Sequence, residues 1–258
     1  MLNKKIPKEE LDRIKLLVLD TDGVTIKRGT KIIEKDSEEY WSAEIKTSKI
    51  SRELADMIKK LEERGLLVMI SSGRSLVYLQ SMYSRILGDG TILQAENGNL
   101  SMVGGKIIQH FDYSQKYFEK ISRIKERIKK LPISGFEPKQ FILTVHSPKE
   151  FGEVYKIVEE EDPEEELRVM WNGEAFDIQK KEISKGEGLK KIVDYMKIDD
   201  LVMAIGDRIN DKELLDVADI GVSADKGNLK EEYWTTGEKM PGEQLIKYLI
   251  DNLVSKNN

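Results

Sequence analysis

Lys15-Leu16-Leu17-Val18-Leu19 runs straight into Asp20-Thr21-Asp22-Gly23. Apolar residues in succession, with no polar residue between them, describe a strand covered on both faces. Strands of that kind belong to parallel sheets with helices above and below, which restricts the chain to α/β architectures. The run then stops at two carboxylates one residue apart, followed by glycine. In such sheets ligands bind outside the C-terminal ends of the strands. Asp and Gly are also turn formers, so Asp-Thr-Asp-Gly alone is equally compatible with a simple turn.

The rest of the chain repeats the alternation of buried runs and amphipathic stretches. Ser51 to Arg64 carries Leu54, Ile58 and Leu61 on one face and predicts a helix ended by Gly65. Leu66 to Ile70 predicts a buried strand, Ser75 to Leu87 a helix and Thr91 to Ala95 a strand. A hairpin follows over Leu100 to His110, with Gly104-Gly105 at its tip. From Asp112 the rhythm changes. A charged helix over Tyr113 to Leu131, with Phe118, Ile121, Ile124 and Ile128 on its apolar side, leads to a strand at Phe141 to Val145. A helix over Phe151 to Glu161, an acidic solvated loop and a hairpin around Asn172-Gly173 complete an α+β module. Helix Lys185 to Met196, strand Leu201 to Ile205, a helix capped by Asn210, strand Ile220 to Val222 and a last helix from Pro241 to about Val254 restore the first pattern. The expected architecture is a doubly wound parallel sheet, residues 1–111 and 181–258, with a small α+β cap inserted at 112–180. Ile26 to Lys49 has no clear period. It reads as a surface hairpin with Tyr40 and Trp41 packed on the body, or as a flap over a site.

Composition removes several classes of function. The 258 residues are 34% charged, with lysine and glutamate interleaved and a net charge of −5, which offers no surface for nucleic acid. No apolar run approaches the ~20 residues that span a bilayer. There is no cysteine, hence no disulfide, thiolate nucleophile or thiolate zinc site. The N-terminus lacks the apolar segment of a secretory signal, and a cytoplasmic location is expected. His110 and His146 are the two histidines, and both are expected at the surface.

Chemistry-bearing residues gather at four places where a buried run ends or a helix begins. They are Asp20 and Asp22, Ser72-Gly73-Arg74, Lys185, and Gly206-Asp207-Arg208-Ile209-Asn210-Asp211. A doubly wound sheet brings such positions to one crevice. Carboxylates crowded without a cation raise one another's pKa, and a hard divalent ion relieves that cost. Oxygen donors without sulfur or imidazole suit Mg²⁺, which commonly shares its coordination with a phosphate. Hydroxyl and ammonium groups are donors for phosphoryl oxygens, so the set points to phosphoryl transfer.

Asp20-x-Asp22-Gly23, the Ser72 strand end, Lys185-Gly186 and Gly206-Asp207-x-x-Asn210-Asp211 resemble, in order and spacing, the four motifs of the haloacid dehalogenase superfamily. Ala95-Glu96-Asn97-Gly98 and the position of the insertion resemble its Cof-type branch, including archaeal phosphoglycolate phosphatase-like and sugar-phosphate phosphatase members. The resemblance implies that Asp20 attacks phosphorus and Asp22 acts as general acid and base. It implies Mg²⁺ held by Asp20, the backbone carbonyl of Asp22 and Asp207, with Asp211 as a ligand or one step removed. Ser72, Gly73, Lys185 and Asn210 would bind the phosphoryl group. The expected activity is hydrolysis of a small-molecule phosphate ester through an aspartyl phosphate, by a monomer or homodimer. A phosphotransferase or mutase on the same scaffold, or a non-catalytic phosphate-binding protein, are the alternatives. Arg74 is expected to organise its loop, and Arg208 to reach substrate or solvent.

Overall fold

The computed structural model describes residues 1–88 and 90–253. The chain opens with α1 (Lys8–Leu11), β1 (Ile14–Asp20) and the hairpin β2 (Lys31–Asp36) and β3 (Trp41–Lys46). Next come α2 (Arg52–Glu62), β4 (Leu67–Ser71), α3 (Leu76–Met82), β5 (Thr91–Ala95), β6 (Leu100–Val103) and β7 (Lys106–Gln109). The insertion holds α4 (Gln115–Ile128), β8 (Gly135–Glu137), β9 (Leu143–His146), α5 (Gly152–Glu161), β10 (Leu167–Trp171) and β11 (Ala175–Lys180). The chain returns through α6 (Lys185–Met196), β12 (Leu201–Gly206), α7 (Lys212–Val217), β13 (Ile220–Ser223), β14 (Tyr233–Trp234) and α8 (Pro241–Asn252). The expected end of the last helix, Val254, lies outside the described residues. Among the described residues no helix is long and apolar enough to cross a membrane.

Two compact units result: residues 1–28, 48–110 and from 184 on, and residues 29–47 with 111–183. In the first, eight strands form one sheet in the order β14-β13-β12-β1-β4-β5-β6-β7. The strands from β14 to β5 run parallel, and β6 and β7 add an antiparallel edge. Leu16 and Val18 of β1 pack in one buried cluster with Leu189 and Ile192 of α6 and Leu214 of α7. Leu17 and Leu19, which point to the other face, are buried as completely. Burial on both faces is the physical origin of the unbroken apolar run. Helix α3 stops at Met82, five residues before the expected Leu87. The Met82 carbonyl accepts from Ile50 N–H, and Ile86 N–H turns to the Tyr83 carbonyl, so the i→i−4 ladder cannot continue.

The second unit carries an antiparallel sheet in the order β10-β11-β9-β8. Leu143, Val145, Phe176 and Ile178 join Ile124 and Ile128 of α4 and Val154 of α5 in its core. The strand alternation sends Thr144, His146, Asp177 and Gln179 to the opposite face. There Thr144 donates to Asp177 at 2.5 Å, and His146 Nε2 lies 3.0 Å from Glu137. His146 is therefore a buried network residue, not the surface residue expected. Asp162 also departs from the solvated loop expected of its acidic stretch: it is buried and pairs with Lys120. Phe118, assigned to the apolar side of its helix, is exposed, and the neighbouring Tyr117 takes the inward position.

The hairpin β2–β3 belongs with this unit, so the expected cap limits of 112–180 and a core containing all of 1–111 need correcting. Glu34 makes the attachment. Its Oε2 accepts from Phe136 N–H and its Oε1 from Trp41 Nε1, both at 2.7 Å. Tyr40 and Trp41 remain exposed rather than packed on the body. Glu34→Ala should cost about 1–2 kcal/mol, because it strands the Phe136 donor. Hydrogen exchange at Phe136 should accelerate in that variant. An unchanged exchange rate would show that the hairpin is held elsewhere.

Candidate active site

The parallel register sets the site. Leu19 pairs with Ile205 on one side and Ile70 on the other, and Asp20 pairs with Ser71. Asp20, Ser72 and Asp207 therefore leave the sheet at one edge, the C-terminal edge of β1, β4 and β12. The loop after Asp20 is held tightly. Thr25 and Ile26 donate their N–H groups to the Thr21 carbonyl at 3.0 Å, and Gly23 N–H donates to the Ile26 carbonyl at 2.8 Å. The Thr25 hydroxyl, 2.6 Å from the buried Tyr83 hydroxyl, lies 2.9 Å from the Asp20 carbonyl. Gly23 has φ +87°, and a Cβ there would run into the Asp207 carboxylate, so only glycine fits.

The two acids of this loop have different partners. Arg74 grips Asp22 through two parallel bonds, Nε to Oδ2 and Nη2 to Oδ1, each 2.8 Å. Arg74 does more than organise its own loop. It fixes the direction of Asp22. Asp20 is buried and faces Lys185, whose Nζ lies 2.5 Å from Asp20 Oδ1 and 2.6 Å from Asp211 Oδ1. Lys185 opens α6, whose Ser184 hydroxyl accepts from Glu187 N–H at 3.1 Å. That helix end sits deep because Gly188 has no side chain: a Cβ there would meet Gly98 Cα at 2.5 Å.

Asp211 Oδ2 accepts the N–H groups of Asp207 at 3.1 Å and Arg208 at 3.2 Å. Asp211, not the expected Asn210, holds the N-cap position of α7, but its side chain reaches back to the preceding loop instead of capping the helix. Asn210 is half-buried in the turn, and no hydrogen bond reaches its side chain from the described residues. Asn228 Nδ2, 3.2 Å from the Asp207 carbonyl, steadies the same loop from beyond β13. The Ser72 hydroxyl accepts from Arg74 N–H at 3.2 Å, and Gly73 lies half-buried in the turn between them. Ser71 ends its strand with its hydroxyl 2.5 Å from Gln94 Oε1.

Sequence reasoning missed Arg28. Its Nη2 lies 2.7 Å from Asp207 Oδ1 and 2.6 Å from Oδ2, straddling the carboxylate. A signal was available: a lone arginine shortly after a pair of acids. It was obscured by a stretch with no hydrophobic period.

One oxygen each from Asp20, Asp207 and Asp211 lies within 4.8 Å of the others, and all three residues are buried. Burial raises the Asp20 carboxyl to about 8, the Asp211 charge adds to the rise, and Lys185 opposes it. Burial likewise raises Asp207, against the Arg28 contact. The set is hard, all oxygen, and short of positive charge, which fits a divalent cation of the Mg²⁺ kind. The carboxylate of Asp22 is not among the three. The native Asp20 carboxyl binds its proton more tightly than the unfolded one, whose value is near 3.8. Stability of the metal-free protein should therefore fall as pH rises from about 4 to about 8. Urea midpoints measured in a chelator over that range should decline, and a divalent cation should flatten the decline. A rising midpoint would contradict the protonated Asp20.

Fold and site together describe an α/β protein whose acidic strand edge could hold a cation. The family model for haloacid dehalogenase-like hydrolase matches residues 45–139 and 115–230. The chain belongs to that family. The matched stretches contain Ser72, Lys185, Asp207 and Asp211, while Asp20 and Asp22 precede them. A phosphoglycolate phosphatase of Methanopyrus kandleri is 28% identical over 175 residues, 64% of this chain and 72% of that protein. One from Sulfolobus acidocaldarius is 24% identical over 92% of this chain and 94% of its own length. A haloalkanoate-superfamily phosphatase of Bacteroides thetaiotaomicron shares the fold with a TM-score of 0.64 at 19% identity, covering 97% of this chain and 98% of the other.

Proposed function

We propose that the protein is a Mg²⁺-dependent phosphomonoesterase acting on a small phosphorylated metabolite, with phosphoglycolate-type acids and sugar phosphates as first candidates. One observation carries the reading: two acids on one short loop, Asp20 beside Lys185 and Asp22 aligned by Arg74. Asp20 forms the bond to phosphorus as the ester P–O bond breaks, and Asp22 gives the leaving oxygen its proton. Asp22 then takes a proton from the water that attacks the aspartyl phosphate, freeing phosphate and restoring Asp20. Lys185, the Ser72 hydroxyl and backbone N–H groups near Gly73 hold phosphoryl oxygens. Bound Mg²⁺ would supply charge neutralisation there. Asp20, Asp207, Asp211 and the Asp22 carbonyl would hold it, and the second Asp211 oxygen orders the loop. A cytoplasmic monomer or homodimer fits this reading. The phosphotransferase alternative gains no support from the insertion's arginines. Arg123 and Arg127 pair with Glu161, and Arg168 bonds the Ile183 carbonyl.

Phosphate release from a panel of phosphorylated acids and sugars, with and without Mg²⁺, tests the proposal directly. Turnover of no ester would sink it. Asp22→Asn should slow phosphoryl transfer to Asp20, read in the burst phase, about 10²–10⁴-fold from an alkyl phosphate and much less from an aryl phosphate, whose leaving group needs no proton. Equal losses on both would take the acid role from Asp22.

A further inference from the structure

Three cations at the strand edge are paired with its acids. Arg74 serves Asp22, Lys185 serves Asp20 and Asp211, and Arg28 serves Asp207. These arrangements differ in how readily they come apart. Lys185 is enclosed, with 1% of its side chain exposed, whereas Arg28 keeps 29% exposed. The Arg28 contact is also peculiar in form. It is not the two-nitrogen fork seen at Arg74 and Asp22. A single nitrogen takes a position against both oxygens of Asp207, one of which, with an oxygen each from Asp20 and Asp211, could hold a metal. Guanidinium and metal cannot both hold that position.

We propose that Arg28 is a displaceable counter-cation: it neutralises Asp207 until a divalent ion takes the carboxylate, and its freed guanidinium then receives an anionic group of the substrate. The inference rests on the phosphatase reading for its second half only. With the ion on Asp207, a half-buried guanidinium loses its partner, and an arriving anion restores one. The same anion keeps Arg28 off Asp207, so ion and anion assist each other's binding, as linkage requires. Arg28 is thus a positioning residue in the empty site and a binding residue in the filled one. The segment that carries it leaves room for the proposed displacement. Arg28 is the last residue of its stretch of the first unit. Gly29, which follows it, has φ +112°, and a Cβ there would meet nothing within 4 Å.

Calorimetric titration of Mg²⁺ into the substrate-free protein separates competition from support. Arg28→Gln should bind Mg²⁺ about tenfold more tightly than the wild type, with Arg28→Lys between them. Equal or weaker binding in Arg28→Gln overturns the displacement. The titration needs no turnover, so it stands even if every phosphate ester proves inert. With Mg²⁺ saturating, inorganic phosphate should bind Arg28→Gln about tenfold more weakly than the wild type. Equal phosphate affinity overturns the second half, and circular dichroism of each variant excludes misfolding as the cause.

Discussion

Asp20→Asn is expected to abolish turnover and, in the absence of metal, to make the protein more stable. The first effect follows from the proposed chemistry. An amide cannot form the bond to phosphorus, and loss of a covalent nucleophile lowers kcat by about 10³-fold or more. The second follows from the electrostatics. Asp20 is buried beside Asp211 and Asp207, and its carboxyl is raised to about 8. The ionised form is therefore resisted by the fold, and each pH increment toward 8 withdraws stability that asparagine would keep. The two melting curves should lie close at pH 5 and separate as pH approaches 8, with the variant above. Mg²⁺ should raise the wild-type melting temperature more than that of Asp20→Asn, since the variant contributes one carboxylate fewer. Opposite signs in rate and stability are the mark of a site that gives up stability for reactivity. A variant less stable than wild type at every pH would mean that Lys185 depends on Asp20 more than the cluster suffers from it.

Much of the first unit was legible because its cause is local. A strand covered on both faces must be apolar throughout, so Leu16 to Leu19 announces both the strand and the two helix layers. The helix starting at Lys185 and the strand Thr91–Ala95 fall at their expected limits, since a serine cap and flanking polar residues bound them. The residues missed were those whose meaning comes from a distant partner. His146 and Asp162 are polar and therefore read as surface. Their burial is made possible by Glu137, nine residues away, and Lys120, 42 residues away. Strand β8 has three residues and β14 two, too few for any period to show. The hairpin β2–β3 could be read as a hairpin, but its place with residues 111–183 comes from distant contacts, the Glu34 carboxylate reaching Phe136 N–H among them.

The candidate site shows the same division. Its acids lie at strand ends, and those ends are visible as the points where apolar runs stop. How its charges pair was not visible: Arg74 meets Asp22 across 52 residues and Arg28 meets Asp207 across 179. Asn210 and Asp211 illustrate the limit at close range. Both are good capping residues, yet neither side chain caps α7, and the Asp211 oxygen turns back to the N–H groups of Asp207 and Arg208.

Lys185→Met should be the most destabilising single change at the site. Its ammonium is buried, and it touches Asp20 and Asp211 at 2.5 and 2.6 Å. Both carboxylates hold its proton firmly despite the cost of burial, keeping its pKa above that of a free lysine. Removing one partner from a buried ion pair leaves an uncompensated charge, a loss of about 3–5 kcal/mol. For a chain of this size that lowers the melting temperature by roughly 10 °C. Methionine keeps most of the volume, so the loss reports charge and not a cavity. Charge also predicts a rescue. A divalent cation bound among Asp20, Asp207 and Asp211 replaces part of the missing positive charge, so Mg²⁺ should raise the melting temperature of Lys185→Met more than that of the wild type. Packing makes the contrary prediction, an equal shift in both proteins. A difference in the Mg²⁺ shift therefore decides whether Lys185 is held in place as a spacer beneath α6 or as the fixed cation that lets acids be buried together at the end of β1.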